Sequence, residues 1–165
     1  MMNLRALLAA LPDVAISGAG DPLISGIVAD SRRVQAGSLF VAVTGGNVDG
    51  HRFISDAIGR GAAAVVGEKD PGADVFVPYA RVPDGRAALA LLAAAWHGFP
   101  ARRMRVIGVT GTDGKTTTTT FIHSIISAAG IRAGMISTVA AVIGDRQIDT
   151  GLHTTTPDSV DVQEY

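Results

Sequence analysis

The chain has 165 residues, of which 47% are hydrophobic and 18% charged, and its 14 Lys and Arg against 15 Asp and Glu leave a net charge of −1. At roughly 100–200 residues per domain, this length predicts one full domain or one domain and part of another, and the apolar fraction excludes wholesale disorder. The balanced charge argues against nucleic acid or an anionic membrane as a partner, and the lack of cysteine excludes disulfides and thiolate-bound metals.

The first hundred residues alternate helical patterns with short apolar runs. Leucines at helical spacing predict a helix over 4–11 that Pro12 closes. A second helix is predicted over 48–61, with Asp49 as its cap, and a third runs from Pro83-Asp84 to His97. Four apolar runs predict buried strands, at 27–29, 39–43, 62–66 and 75–77. Residues 1–100 are therefore predicted to form a small mixed α/β domain.

The longest uninterrupted apolar run, Ala87 to Trp96, lies inside the third predicted helix. It is about half as long as the roughly 20 residues that span a bilayer. The apolar stretch Ala6–Leu11 is too short for the core of a secretory signal. We therefore expect a soluble, cytoplasmic protein without membrane insertion.

A second domain is predicted to begin after the connector at 100–103. A strand over 105–110 leads through a glycine-rich turn into a helix over 116–129, and a further strand follows at 132–137. This β–α–β order predicts a right-handed parallel crossover. A hairpin with the turn Gly144-Asp145 comes next, and a last helix that starts at Pro157-Asp158 runs to Tyr165. The turn between this strand and helix reads GTDGK at 111–115, which is typical of a phosphate-binding P-loop. We therefore interpret residues 101–165 as the start of a P-loop, parallel-sheet ATPase domain that is incomplete here, in a chain of the α/β class.

The strongest chemical signal is the stretch VIGVTGTDGKTT at 106–117. Glycines let successive backbone N–H groups converge on a phosphate, and the start of a helix adds partial positive charge. Lys115 is suited to bridge terminal phosphates, and the hydroxyl of Thr116 is suited to bind Mg²⁺. We therefore predict that both residues are catalytic and that Thr116 is also a metal ligand. The loop is a variant, because Val109 stands where the generic pattern has glycine. The predicted ATP-binding residues are Gly111, Thr112, Asp113, Gly114, Lys115, Thr116 and Thr117.

The form TGTxGKTT resembles the ATP loop of the Mur ligases, the amide-forming enzymes of peptidoglycan precursor synthesis. Three further stretches support the resemblance: DSRRVQAGSLFVAV at 30–43 with DGHRFI at 49–54, AIGRGA at 57–62, and TTTPDSVDVQ at 154–163. The last of these looks like the branch that adds the third residue to UDP-N-acetylmuramoyl-L-alanyl-D-glutamate. In the loop, Asp113 replaces the asparagine usual in this family.

The resemblance implies a reaction and a set of contacts. ATP with Mg²⁺ would phosphorylate the D-glutamyl carboxylate, and the amine of an amino acid would attack the acyl phosphate. A further acidic Mg²⁺ ligand, a modified lysine and the domain that binds the amino acid would lie outside these 165 residues, so the fragment is expected to be inactive alone. The contacts with the UDP-muramoyl substrate fall on Ala29, Ser31, Gly46, Asn47, Val48, Thr154, Thr155 and Thr156.

Other interpretations remain open at the level of the sequence. The glycine-rich turn could be a turn that binds no ligand. The stretch Asp30-Ser31-Arg32 is also typical of a polar turn with an internal Asp–Arg pair. A threonine cluster before proline is typical of a helix cap. For the whole chain, the alternatives are the related ligase that adds the terminal dipeptide, a folylpolyglutamate-like ligase, and a non-catalytic nucleotide-sugar or ATP binding module.

Overall fold

The computed structural model of the chain describes residues 1–45, 48–148 and 158–164. The chain divides into two compact units, Met1–Pro100 and Ala101–Tyr165. In the described residues, no helix has both the length and the apolar character that crossing a membrane requires.

The first unit combines short strands with three helices. In chain order, its elements are β1 (Met2–Asn3), α1 (Leu4–Leu8), β2 (Ala15–Ser17), β3 (Leu23–Ile24), β4 (Gly26–Val28), β5 (Ser38–Val41), α2 (Ile54–Gly59), β6 (Ala64–Gly67), β7 (Tyr79–Arg81) and α3 (Gly85–Trp96). Short 3-10 turns occupy Ser31–Arg33, Gly50–Phe53 and, at the boundary between the units, Pro100–Arg103.

A five-stranded mixed sheet organises this unit, with the strand order β2-β7-β6-β5-β4. Strands β4 to β7 are parallel to one another, and β2 pairs antiparallel with β7. The four parallel strands therefore end at one edge of the sheet, which we call the carboxyl edge. The segments that follow Val28, Val41, Gly67 and Arg81 emerge there, and parallel sheets commonly bind ligands at this edge.

The core of the unit lies on both faces of the sheet. On one face, Phe40, Val65 and Tyr79 pack in a single cluster with Ile54 and Ala57 of α2. Side chains alternate along a strand, so Leu39, Val41 and Val66 point to the opposite face, and all three are fully buried. Helices α1 and α3 contact each other and bury their own apolar stripes: Leu4, Leu7, Leu8, Ala88, Leu89, Leu92 and Ala93.

The structure confirms the third predicted helix, which has the clearest local signals in the sequence, and contradicts one predicted strand. The helix opened by Pro83-Asp84 is confirmed as α3, and the Asp84 carboxylate accepts from the backbone N–H groups of Arg86 and Ala87. The strand predicted over 75–77 is wrong, because the pairing with β6 is made by Tyr79–Arg81. Val75 and Val77 pack on the core from a loop, whereas Phe76 is 85% exposed.

The helix predicted over 48–61 forms only in its second half. Residues Gly50–Phe53 make a 3-10 turn, and α2 begins at Ile54. Asp49 does cap this segment, since its carboxylate accepts from the N–H of His51 at 3.0 Å. The cap therefore belongs to the turn, not to the α-helix.

The second unit contains α4 (Lys115–Ala128), β8 (Gly134–Ile136), β9 (Ala141–Ile143), β10 (Arg146–Ile148) and α5 (Ser159–Glu164). The hairpin is confirmed, with β9 and β10 antiparallel around the turn at 144–145. The strand predicted over 105–110 is wrong, since no strand is formed there. The parallel crossover is therefore not formed in the described residues, because 105–110 supplies no strand to pair with β8, whose partner is the antiparallel β9. Val106 and Ile107 are 71% and 61% exposed, so no neighbouring strand covers them.

Candidate functional site

The glycine-rich loop of the second unit leads directly into α4. Gly114 is the residue before the helix, its φ of 75° is left-handed, and no side chain caps the helix there. The first helical bond runs from the N–H of Thr118 to the carbonyl of Gly114 at 2.9 Å. The N–H groups of Lys115, Thr116 and Thr117 consequently have no acceptor within the helix. The loop thus presents three backbone donors at the positive end of a 14-residue helix.

Lys115 folds back over this loop. Its ammonium donates to the carbonyls of Gly111, at 2.6 Å, and Thr112, at 3.1 Å. The hydroxyls of Thr119 and Thr120 donate to the carbonyls one turn earlier, so they serve the helix. The predicted loop therefore brings together a cation, free amides and the Thr116 hydroxyl, whereas Asp113 lies exposed on it.

A small cleft of about 60 Å³ lies beside the start of α4. Lys115, Thr116 and Thr119 line one side, and Ser137 and Thr138 line the other. Ser137 is buried, and its hydroxyl is held by the carbonyl of Ala140 at 3.0 Å. The Lys115 ammonium and the Thr116 hydroxyl are the donors here that suit an anion such as a phosphate group. The Thr119 and Ser137 hydroxyls already donate to backbone carbonyls.

The same residues allow only a limited metal site. Among residues 1–45, 48–148 and 158–164, no three His, Asp or Glu side chains come together as a metal would require. A single hydroxyl such as that of Thr116 is enough for Mg²⁺, which usually keeps several waters and takes other ligands from bound phosphates. The loop therefore fits Mg²⁺ only together with a bound nucleotide.

In the first unit, the predicted substrate residues Ala29 and Ser31 follow β4 at the carboxyl edge. Ala29 is exposed, whereas Ser31 is only 6% exposed. The Ser31 hydroxyl is hydrogen-bonded to the Asp56 carboxylate and lowers the pKa of that group. Because its proton is donated to Asp56, the Ser31 oxygen is left free only to accept a hydrogen bond from a ligand.

The neighbours of Ser31 form the internal ion pair that the sequence left open. Arg32 donates through Nε and a terminal nitrogen to both Asp30 oxygens, at 2.7–3.1 Å. These bonds hold the pKa of Asp30 below its ordinary value. The polar-turn interpretation therefore holds for Asp30 and Arg32, while the role of Ser31 stays a prediction.

The remaining predicted substrate residues are only partly described. Val48 is 53% exposed and follows β5 by way of the loop after residue 43. Gly46, Asn47, Thr154, Thr155 and Thr156 lie outside the residues that the structure describes.

Sequence reasoning missed a group of polar side chains at the carboxyl edge. Thr44, Asp49, His51, Glu68 and Lys69 are joined by hydrogen bonds, and we call them the polar clamp. The available signal was the pair Glu68-Lys69 directly after a wholly buried strand. Its partners lie 17 to 24 residues away in the sequence, so spacing alone did not connect them.

We expect the polar clamp to make the stability of the first unit depend on acidic pH. Hydrogen bonds from Lys69 and His51 hold the pKa of Asp49 well below its usual range, and the Thr44 hydroxyl lowers the pKa of Glu68. A carboxylate whose pKa is lower in the folded chain adds stability above its unfolded pKa, near 4, and loses it as the pH falls through the folded pKa. We expect Asp49→Asn to lower the melting temperature at pH 7 and to weaken its fall between pH 5 and pH 2.

Thermal unfolding followed by circular dichroism measures this effect. Asp74→Asn, which removes an exposed carboxylate from a loop of the same unit, is the matched control. Equal pH slopes for the wild type and Asp49→Asn would show that the Asp49 hydrogen bonds contribute nothing to folding.

Two family models match the chain in tandem. One is described as the Mur ligase family, catalytic domain, and covers residues 23–97, and the other is the Mur ligase middle domain, over residues 109–165. Among curated proteins, the chain is 48% identical over 164 residues to the UDP-N-acetylmuramyl-tripeptide synthetase of Roseiflexus sp. strain RS-1. It is 45% identical over 162 residues to the UDP-N-acetylmuramoyl-L-alanyl-D-glutamate--2,6-diaminopimelate ligase of Geobacillus kaustophilus.

Both alignments take in 98% of this chain and 32% of the relative, so the chain spans about a third of the length of these curated proteins. Solved structures agree with them. The solved structure of a UDP-N-acetylmuramoyl-L-alanyl-D-glutamate--2,6-diaminopimelate ligase superposes with a TM-score of 0.71 at 25% identity. The match covers 99% of this chain and 32% of the chain of that ligase. The structure of MurF from Acinetobacter baumannii superposes with a TM-score of 0.59 at 27% identity. The match covers 78% of this chain and 28% of the MurF chain.

Proposed function

The chain belongs to the Mur ligase family, and from this premise we propose that it carries the substrate-binding and ATP-binding parts of an amide ligase. The reaction is the addition of the third amino acid to UDP-N-acetylmuramoyl-L-alanyl-D-glutamate in peptidoglycan synthesis. We propose that it takes place in the cytoplasm and serves cell-wall growth, cell shape and division. By their names, the two curated relatives described above act at this step, which favours it over the addition of the terminal dipeptide.

The observation that carries the nucleotide part is the loop before α4. Its free amides at 115–117, the Lys115 ammonium and the Thr116 hydroxyl form a donor set for phosphate oxygens. Lys115 would exchange its two loop carbonyls for the terminal phosphates and neutralise charge as the phosphoryl group moves. The Thr116 hydroxyl would hold Mg²⁺ in part, and the ion would add charge neutralisation at the phosphates.

The proposed reaction balances in two steps. A D-glutamyl carboxylate oxygen bonds to the γ-phosphorus of ATP and ADP leaves, which gives an acyl phosphate. The amine of the incoming amino acid then attacks the acyl carbon, inorganic phosphate leaves, and the amine gives up a proton. Lys115 stabilises charge in the first step.

Binding by the 165-residue chain tests both recognition parts separately. Calorimetric titration with Mg·ATP tests the second unit, and titration with UDP-N-acetylmuramoyl-L-alanyl-D-glutamate tests the first, with a guanosine nucleotide sugar as the control. Phosphate release that requires both the muramoyl dipeptide and an amino acid, measured on the longest reading frame that contains these 165 residues, tests the ligase. Binding without such release would favour the non-catalytic module.

We expect Ser31→Ala to weaken binding of the muramoyl dipeptide about two- to tenfold, the worth of one neutral hydrogen bond at roughly 0.5–1.5 kcal/mol. ATP affinity should not change, because Ser31 and Lys115 belong to different units. Ser55→Ala removes an exposed hydroxyl from α2, beside Asp56, and is the matched control. Unchanged affinity of Ser31→Ala would remove Ser31 from the site.

A further inference from the structure

We propose that the polar clamp is a positioning element for the uridine-nucleotide site of the first unit. The inference rests on the proposed function, because it concerns the loop at 45–48 that would contact the nucleotide. No clamp residue is itself among the predicted contacts. Their role is argued from how they hold the described ends of that loop.

In the described residues, the two sides of this loop are joined by a short antiparallel pairing. The N–H of Gly45 donates to the carbonyl of Val48, and the N–H of Gly50 donates to that of Val43, both at 3.0 Å. Between them, Thr44 and Asp49 form one isolated antiparallel bridge. In the part of this segment that the structure describes, so short a pairing is only marginally stable by itself in water. Contacts outside the pairing therefore help to set its orientation.

Both sides of the bridge are anchored to the chain that follows β6. On one side, the Thr44 hydroxyl donates to Oε2 of Glu68. On the other, Asp49 accepts from the ammonium of Lys69 at 2.5 Å. The second Glu68 oxygen, Oε1, accepts from the N–H of Gly85, the first residue of α3, at 2.8 Å. The hairpin is therefore tied to the neighbouring strand end and, through Glu68, to a helix in the core.

His51 adds a third tie in a defined tautomer. Its Nε2 accepts from the N–H of Glu68 at 2.8 Å, so that nitrogen carries no proton. The proton lies on Nδ1, which donates to Oδ1 of Asp49 at 2.6 Å. The imidazole is only 8% exposed. A Cβ at Gly67 would lie 3.0 Å from Nε2 and would clash with the Tyr79 hydroxyl, so the backbone at Gly67 packs closely against the ring.

The polar clamp lies at the same edge of the sheet as Ser31, a predicted contact with the substrate. Strand β4 pairs with β5, so Ser31 after β4 and the hairpin after β5 emerge side by side at the carboxyl edge. Strand β5 ends at Val41, before the hairpin begins. The anchors therefore fix a segment that lies beyond the strand, which is what a preformed ligand site requires.

Thr44 offers the sharpest test because it is exposed and its loss leaves no gap in the core. Thr44→Val removes the donor at nearly constant shape, and Thr44→Ser restores it. We expect Thr44→Val to bind UDP-N-acetylmuramoyl-L-alanyl-D-glutamate about three- to tenfold more weakly and Thr44→Ser to bind it as the wild type does. Affinity for ATP should be unchanged, and the Gly45 and Gly50 amides should exchange faster in Thr44→Val.

Ser25→Ala is the matched control, since it also removes an exposed hydroxyl bonded within the first unit, to the carbonyl of Ala36. If the wild type and Thr44→Val bind the muramoyl dipeptide equally, the positioning role is overturned and the proposed function stands. If Thr44→Ser binds as weakly as Thr44→Val, the hydroxyl is not the cause and the inference is also overturned. Failure of the wild type to bind at millimolar ligand overturns the proposed substrate site and the inference with it.

Discussion

Replacing Lys115 with alanine should reduce the affinity of the chain for Mg·ATP by at least tenfold while leaving its melting temperature nearly unchanged. A hydrogen bond to a charged group contributes about 1.5–3 kcal/mol, which corresponds to roughly 10- to 150-fold in affinity. In the unliganded chain, the ammonium bonds only to two carbonyls of an exposed loop, and such bonds contribute little to folding. Calorimetric titration and thermal unfolding of the same samples measure both quantities.

The control for the lost charge is Arg146→Ala, which removes a cation from the exposed strand β10 of the same unit. Lys115→Arg keeps the charge but changes its geometry, and it should recover only part of the affinity. Equal ATP affinity in Lys115→Ala and the wild type would reject the loop as a nucleotide site. A large drop in melting temperature would instead assign the lysine to the fold.

The two units should differ completely when they are made separately: residues 1–100 should fold and residues 101–165 should not. The first unit buries apolar side chains on both faces of its sheet. In the described part of the second unit, only Ser137, Ala140 and Ala141 are buried. Helix α4 has no buried residue. A chain that buries so little apolar surface does not offset the loss of conformational entropy on folding.

Proton–nitrogen correlation spectra of the two peptides test this expectation. Residues 1–100 should give dispersed peaks and a cooperative thermal transition, and residues 101–165 should give neither. Phe121 and Ile125, which are 63% and 68% exposed on one side of α4, offer a second measurement. Phe121→Ser with Ile125→Ser should improve the solubility of the second peptide without making it fold. Dispersed peaks from unmodified 101–165 would contradict the prediction.

The parts of the fold that the sequence predicted well are those with local signals. Helix α3 has its cap at Asp84 and its apolar stripe within one segment, and the hairpin of β9 and β10 has a glycine with φ of 58° in its turn. The strand at 75–77 failed because strand pairing is decided by partners that are distant in sequence. The stretch at 105–110 reads as a buried strand by its residues, but the described chain provides no neighbour for it.

In the candidate site, too, the residues with local sequence signals were predicted and those joined over long sequence distances were not. The phosphate loop was predicted as a unit because its glycines, lysine and threonine are contiguous. The bond between Ser31 and Asp56 joins residues 25 positions apart, and the one between Thr44 and Glu68 joins residues 24 apart. Neither spacing follows a helix or strand period. Only the parallel order of β4, β5 and β6 brings these residues to one edge.

The position of β2 in the sheet has a consequence for the order in which the first unit folds during synthesis. Strands β5, β6 and β7 each pair with the strand made just before them, so the block from β4 to β7 can assemble as the chain grows. Strand β2 precedes all four, yet it pairs only with β7, and Ala15 lies opposite Arg81. At about 5–20 residues per second, β2 waits on the order of several seconds for its partner. The pairing that closes the longest loop, and costs the most chain entropy, is therefore the last to form.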